Sequence, residues 1–293
     1  MTGRRSLKIA FIHNYYIHYR APFFKMMNKV FDVMFFFDDI HEYVNKLDKH
    51  LKYKINVGSK VGGVRIPILL WFHLLRYKPD IIIAGDATYP STILAFVFSK
   101  LLNIPFILWE ERWFWHSGRI ATILWPIARA IALKSNVLII PGTKAREFYE
   151  NIGVMKEKMF VAPNASYVQI TKDHKIKARK IRKELGLEDK VIVLYLGRVI
   201  PYKGVHIILK AISKLKAKGI ENVHLIIAGK PSPAYKILLE KYKNKMNLSN
   251  VTFVGFVKEE EKGAYYELAD IIVYPSYYEV WGMVVNESMY AGK

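Results

Sequence analysis

The chain contains no cysteine. Disulfide bonds, thiolate metal sites and thiol nucleophiles are therefore excluded. Glutamine occurs only at Gln169, against abundant Lys and Ile, a balance that points to a heat-adapted source. Long apolar runs are missing too. Lys100 interrupts the stretch after Tyr89, and Arg129 the one after Ile120, so no transmembrane span is expected. Residues 7–12 follow a basic start but are too few for a signal peptide, and they read as a strand. No zinc-finger spacing or ribonucleoprotein sequence supports nucleic acid as a partner. His13, His18 and His116 lie in no metal-ligand spacing; each reads as a structural or surface residue, and no metal is expected.

Acidic residues are scarce beside basic ones: 25 Asp and Glu face 45 Lys and Arg, a net charge of +20. Residues 1–166 hold 23 basic and 12 acidic side chains, and residues 167–293 hold 22 and 13. The excess is thus spread over both halves rather than confined to a tail. Such a surface suits nucleic acid, anionic membrane or phosphate-bearing substrates.

What is present is an α/β pattern. At 293 residues, 52% of them hydrophobic, the chain is long enough for two domains. Apolar strands at 7–12, 33–37, 81–84, 106–109, 137–140 and 160–162 alternate with helices at 20–30, 67–77, 91–102, 119–133 and 144–151. Residues 38–65 show no clear pattern. Continuous apolar strands separated by helices mean parallel β-α-β units with both sheet faces covered. A polar, basic stretch at 171–183 reads as the boundary. The pattern then restarts, with strands at 191–196, 223–228, 251–254 and 271–274 and helices at 204–218, 234–246 and 259–268. The domains are taken as 1–166 and 167–293.

Two stretches carry chemistry. In residues 271–292 a short strand ends at Pro275-Ser276, Glu279 sits on the loop, and Gly282 opens a helix that holds Glu287 and stops at Gly292. Two carboxylates thus flank a strand–loop–helix junction, where open parallel sheets place ligands. Glu279 can reach a ligand over the helix N-terminus, and Glu287 can accept hydrogen bonds from a diol. Taken singly, either is an ordinary solvated Glu. Upstream, Gly197-Arg198-Val-Ile-Pro-Tyr-Lys203-Gly204 follows the first strand of the second domain. A guanidinium chelates phosphate oxygens and an ammonium acts as a point charge. Gly197 permits a close turn, and Gly204 precedes a helix start whose amides favour anions. The alternative is a solvated basic loop. Gly229 and Gly255 end the next two strands, as plain turns or as further parts of the same site.

Pro-Ser-x-x-Glu-x-x-Gly-x-x-x-x-Glu-x-Met-x-x-Gly, preceded in order by Gly-Arg-x-x-x-x-Lys-Gly, resembles the donor-site signature of retaining glycosyltransferases of family 4, among the glycosyl transferases group 1 of GT-B fold. The resemblance covers residues 190–292 in motif and nearly the whole chain in architecture. It implies two Rossmann-like, doubly wound parallel-sheet domains facing a cleft: an acceptor domain first, then a nucleotide-sugar donor domain. Arg198 and Lys203 would hold the donor diphosphate, and Glu287 the ribose hydroxyls. Glu279, with backbone amides around Trp281, Gly282 and Met283, would hold the sugar, and Gly197 and Gly229 would line the donor pocket. The resemblance implies transfer of a hexose from a nucleotide diphosphate sugar with no cofactor and no metal, the two cations taking the metal's place.

The sequence departs from the family at three points. The loop after the first strand lacks the usual Gly-Gly and reads Asn14-Tyr15-Tyr16-Ile17-His18-Tyr19-Arg20. Asn14, Tyr15 and Arg20 are its ligand candidates, although Arg20 could equally cap local carbonyls. Where many members have a His, this chain has Glu110-Glu111-Arg112; the two Glu either face the cleft near the acceptor or pair with Arg112. The chain also stops where the family continues, so it is expected to be a fragment whose second sheet lacks strands. Aromatic and basic residues mix over 113–134. Together with the net charge they suggest a cytoplasmic protein, peripheral on anionic lipid, with a lipid-linked or envelope-glycan acceptor. The competing readings are a degenerate GT-B protein that holds anionic polymer or nucleic acid, and an epimerase or phosphorylase of the same fold.

Overall fold

The computed structural model describes residues 6–16, 20–40, 49–56, 58, 60–61, 64–115, 118–166 and 168–293. The chain divides into two compact units, Met1–Pro163 and Asn164–Lys293. His18 and His116 lie outside the described residues.

The first unit is a parallel seven-stranded sheet in the order β3-β2-β1-β6-β7-β8-β9. Its strands are β1 (Lys8–Tyr16), β2 (Asp32–Ile40), β3 (Tyr53–Ile55), β6 (Ile81–Gly85), β7 (Phe106–Trp109), β8 (Val137–Ile140) and β9 (Met159–Val161). A small antiparallel pair, β4 (Lys60–Val61) and β5 (Val64–Arg65), stands apart. Helix α1 (Ala21–Val30) covers one face, where Phe24 meets Phe11, Val33 and Phe35. Helices α2 (Leu70–Tyr77), α3 (Pro90–Leu101), α4 (Arg119–Lys134) and α5 (Thr143–Asn151) cover the other, burying Leu74, Phe98, Ile131 and Ala145 against Ile82, Phe106 and Leu108. Burial on both faces is why these strands read as unbroken apolar runs.

The sequence ends the first strand at Ile12, but β1 runs on through Tyr16. Tyr15 and Tyr16 pair with Asp39 and Ile40 of β2, and the Tyr16 ring is buried against Phe24 and Phe37. Asn14 and Tyr15 therefore belong to a strand, not a loop. Residues 38–65, unpatterned in sequence, supply the end of β2, the edge strand β3 and the β4–β5 pair.

The second unit has four parallel strands in the order β12-β11-β10-β13: β10 (Val191–Leu196), β11 (Val223–Ala228), β12 (Val251–Gly255) and β13 (Ile271–Ile272). Helices α7 (Val205–Ala217) and α8 (Pro233–Lys245) pack on one face; α6 (Lys172–Glu184) and α9 (Lys262–Leu268) pack on the other, followed by α10 (Met283–Tyr290).

Helix α6 occupies the stretch read from sequence as the domain boundary. Thr171 and His174 cap it reciprocally, each side chain bonding the other's backbone N–H. Its polar composition misled because little of it is buried. Ala178 is the one buried residue, while Lys177 pairs with Glu261, and Arg182 bonds the Asp270 carboxylate and the carbonyl of Leu268. The last strand is shorter than its apolar run. Val273 still donates to Leu194 at 3.0 Å, but Pro275 has no N–H to continue the ladder. No helix among the described residues is long and apolar enough to cross a membrane.

Candidate functional site

In the second unit, the motif residues converge at the C-terminal ends of β10, β11 and β13. After β10 the chain passes Gly197 and Arg198, makes a 3-10 turn at Pro201–Lys203, and enters α7 through Gly204. Gly204 has φ 73°, and a Cβ there would overlap the Pro275 carbonyl oxygen. Gly229, at φ 159°, closes on Gly197 so tightly that a Cβ would overlap the Gly197 carbonyl oxygen and lie 3.0 Å from Val199 Cγ2. Tyr277 N–H donates to the Tyr202 carbonyl at 2.9 Å. The Gly197–Gly204 loop and the Pro275–Gly282 loop are thereby held against each other.

Their side chains meet at Lys203. Lys203 is only 4% exposed. It pairs with the Glu279 carboxylate and donates to Tyr274 Oη at 3.0 Å; Tyr274 in turn donates to Glu279 Oε2 at 2.8 Å. Burial first, then the Glu279 charge, pushes the Tyr274 phenol far above its ordinary value, so it stays a donor. An ammonium has three protons, and these two bonds use two of them. Arg198 is exposed, with its guanidinium 5.9 Å from the Tyr202 ring centre. It is thus an exposed cation beside a buried one. Gly282 (φ 84°) caps α10, which places Trp281 and Met283 at that helix N-terminus. The Trp281 Nε1 is buried and has no hydrogen-bond partner among the described residues.

Glu287 takes a different position from Glu279. It is 4% exposed and accepts from Ser166 Oγ at 2.9 Å and from Tyr266 Oη at 2.6 Å, with Lys262 Nζ 3.7 Å away. It is a held acceptor, not a solvated helix residue. Tyr274, Tyr266 and Ser166 were not singled out in the sequence. Tyr274 was hidden as the last residue of an apolar run; nothing marks Ser166.

In the first unit, Asn14, Tyr15, Arg20, Glu110 and Glu111 gather at the C-terminal ends of β1, β6 and β7. Arg20 is buried. It donates to His13 Nε2 at 2.6 Å, pairs with Glu111, and stacks 4.7 Å from the Trp109 ring centre. His13 Nδ1 donates to the Tyr15 carbonyl at 3.0 Å, which fixes the tautomer. Burial, and then Arg20, hold the His13 imidazole down at about 3. Glu110 is fully enclosed and accepts from Arg112 Nε at 3.0 Å, Arg112 Nη2 at 2.7 Å and Ala87 N–H at 3.1 Å. Arg112 also reaches Asp86 at 2.7 Å. Of the two sequence alternatives, pairing with Arg112 describes Glu110; Glu111 pairs with Arg20 instead. Asn14 accepts from the Tyr15 N–H at 2.9 Å. Among the described residues, no three His, Asp or Glu side chains converge as a metal site.

The chain is 27% identical over 234 residues to an alpha-D-kanosaminyltransferase of Streptomyces kanamyceticus, covering 79% of this chain and 52% of that protein. It is 26% identical to the lipopolysaccharide 1,2-N-acetylglucosaminetransferase of Salmonella typhimurium, covering 53% of this chain and 42% of that one. The chain thus spans about half the length of these curated relatives. Among solved structures it resembles Anabaena Alr3699/HepE in complex with UDP and glucose, with a TM-score of 0.77 at 16% identity over 98% of this chain and 79% of that one. The α/β architecture is that of the GT-B glycosyltransferases, and residues 177–293 match the family model Glycosyl transferases group 1.

Proposed function

We propose that the protein is a retaining glycosyltransferase that moves a hexose from a nucleotide diphosphate sugar to a lipid-linked or envelope-glycan acceptor on the cytoplasmic side. The observation that carries the reading is Lys203: a nearly buried ammonium, held by Glu279 and Tyr274 with one proton unspent, in the Gly-Arg-x-x-x-x-Lys-Gly loop. Uridine is the favoured base, because the structurally similar Anabaena protein is described in complex with UDP and glucose.

In this reading Lys203 meets a diphosphate oxygen through its third proton, and the exposed Arg198 swings in to chelate a second. The helix N-terminus at Gly282–Met283 faces the donor with its amides. As the bond between the anomeric carbon and the diphosphate oxygen breaks, negative charge grows on the leaving group, and these cations stabilise it. The acceptor oxygen bonds to the anomeric carbon from the same face, and its proton passes to the departing phosphate oxygen. No protein nucleophile and no metal take part. Glu279 orients Lys203 and accepts from the sugar hydroxyls. Glu287 receives the ribose diol, which must share it with Tyr266 and Ser166.

Calorimetric titration with UDP, GDP, ADP and their common sugars tests this, with Arg198→Ala and Glu287→Ala alongside. One nucleotide should bind, and both substitutions should weaken it. Failure of all nucleotides, with salt-sensitive RNA binding in their place, would instead identify a basic binding module. A free epimerised sugar nucleotide as product would identify an epimerase.

A further inference from the structure

Helices α2, α3 and α4 lie side by side on one face of the first sheet. Leu74, Phe98 and Ile131 anchor them in a common core. Trp71 ties α2 to α3, with its Nε1 donating to the Leu94 carbonyl at 2.9 Å and its ring 5.9 Å from Phe98. Their outer surface is apolar where solvent would normally demand polar residues. Ile68 in the turn before α2, and Phe72 and Leu75 on the helix, spaced by four and three, are each more than half exposed. On α3, Leu101 is 66% exposed. On α4, Ile120 and Ile123 are 74% and 70% exposed. An uncovered apolar face of this extent marks an interaction surface.

The charge on this face has one sign. None of the three helices carries an Asp or Glu. Arg76, Lys100, Arg119 and Lys134 are exposed on them. Partial burial, and then the charges of Lys158 and Lys134, lower the pKa of Lys100, so cations crowd here. The pattern ends at α5, which brings Glu147 and Glu150.

We infer that the α2–α3–α4 face of the first unit docks on an anionic lipid membrane, with its isoleucines and Phe72 in the acyl boundary and its cations among the phosphate headgroups. Charge decides the occupant. A second copy of the chain would set cations against cations. Nucleic acid would satisfy the cations but leave the aliphatic side chains in water. An anionic bilayer offers both chemistries at the depth each requires. The inference goes beyond the sugar-transfer reading and stands without it, since no donor-site residue lies on this face.

Co-sedimentation with phosphatidylcholine vesicles, with and without phosphatidylglycerol, tests it. The test variants are Ile120→Glu/Ile123→Glu and Arg119→Glu/Lys134→Glu. The control is Ile237→Glu, which replaces an isoleucine 72% exposed on α8 of the second unit. The protein should pellet with the anionic vesicles and be released by salt. Each test variant should partition at least about tenfold more weakly, and the control should be unchanged. All five sites are exposed, and unaltered thermal unfolding would confirm that each variant folds. Failure to pellet, or loss equal to that of the control, would overturn the inference. So would pelleting that the test variants leave intact. A dimer in light scattering that Ile120→Glu/Ile123→Glu dissolves would also overturn it, by giving the face to a second copy.

Discussion

Gly229→Ala separates steric fit from backbone preference at the candidate donor site. Gly219→Ala is the matched control. Both glycines have positive φ, 159° and 75°, but a Cβ at Gly219 meets nothing within 4 Å, whereas at Gly229 it overlaps the Gly197 carbonyl oxygen and crowds Val199. At Gly219 the loss is the left-handed penalty alone, about 1–2 kcal/mol. At Gly229 a comparable penalty applies, and the Gly197 carbonyl must move as well. That carbonyl belongs to a loop tied down on both sides: Gly197 N–H donates to Ala228 at 2.9 Å, and Ser232 N–H donates to Val199 at 3.2 Å. The neighbour has no slack, so overpacking adds roughly 1–3 kcal/mol. Calorimetry on both variants should show the second unit melting lower for Gly229→Ala than for Gly219→Ala, by about 4–10 °C. Nucleotide binding should fall for Gly229→Ala alone. Equal melting shifts for the two variants would refute the steric argument, whatever their size.

On the proposed function, Lys203→Ala and Arg198→Ala should each lower sugar transfer at least about a hundredfold; only Lys203→Ala, at a buried site, should also lower the melting temperature. A near-normal rate in either, with ordinary salt dependence, would remove that residue from the site. His13 gives an acid-stability prediction. Its folded value of about 3 lies below the ordinary value of roughly 6.5. The unfolded chain therefore binds the proton first, and the stabilisation is complete above roughly pH 6.5 and lost as pH falls toward 3, about 5 kcal/mol at most. His13→Gln keeps a donor and an acceptor but does not titrate, so its unfolding free energy should fall less steeply on acidification; identical slopes would exclude His13 as the source. Glu287→Gln replaces an acceptor of two hydroxyl donors by a group with a single carbonyl. It should cost roughly 1–3 kcal/mol of stability, measurable by urea titration, and an unchanged midpoint would show that Ser166 and Tyr266 find other partners.

Elements were legible where burial is two-sided. The runs at β7, β8 and β11 stand at the residues their apolar pattern marks, because a strand covered on both faces has no polar alternation to blur its ends. Legibility failed where long-range pairing outvotes local chemistry. His13 to Tyr16 look like a polar loop, yet β2 pairs with them to the end. Residues 171–183 look like a domain boundary, yet they form α6, held by a cap and ion pairs that only the fold brings within reach. At the site the cations and carboxylates were visible because their types are fixed by chemistry. Their mutual contacts were not: nothing in the spacing says that Lys203 pairs with Glu279, or that Arg20 turns to His13 and Glu111. Those partnerships depend on which strands are neighbours, and sheet order is not written in the sequence of any one strand.

The tight seam between the two glycine-bearing loops of the second unit limits how such proteins can vary. Gly204 lies against the Pro275 carbonyl, and Tyr202 receives the Tyr277 N–H, so an inserted residue in either loop would dislodge the other. Chimeras that exchange only one of these loops with a relative should misfit, whereas exchanging both together should preserve the fold. The loops are separate in the chain, yet in redesign they are to be handled as one part.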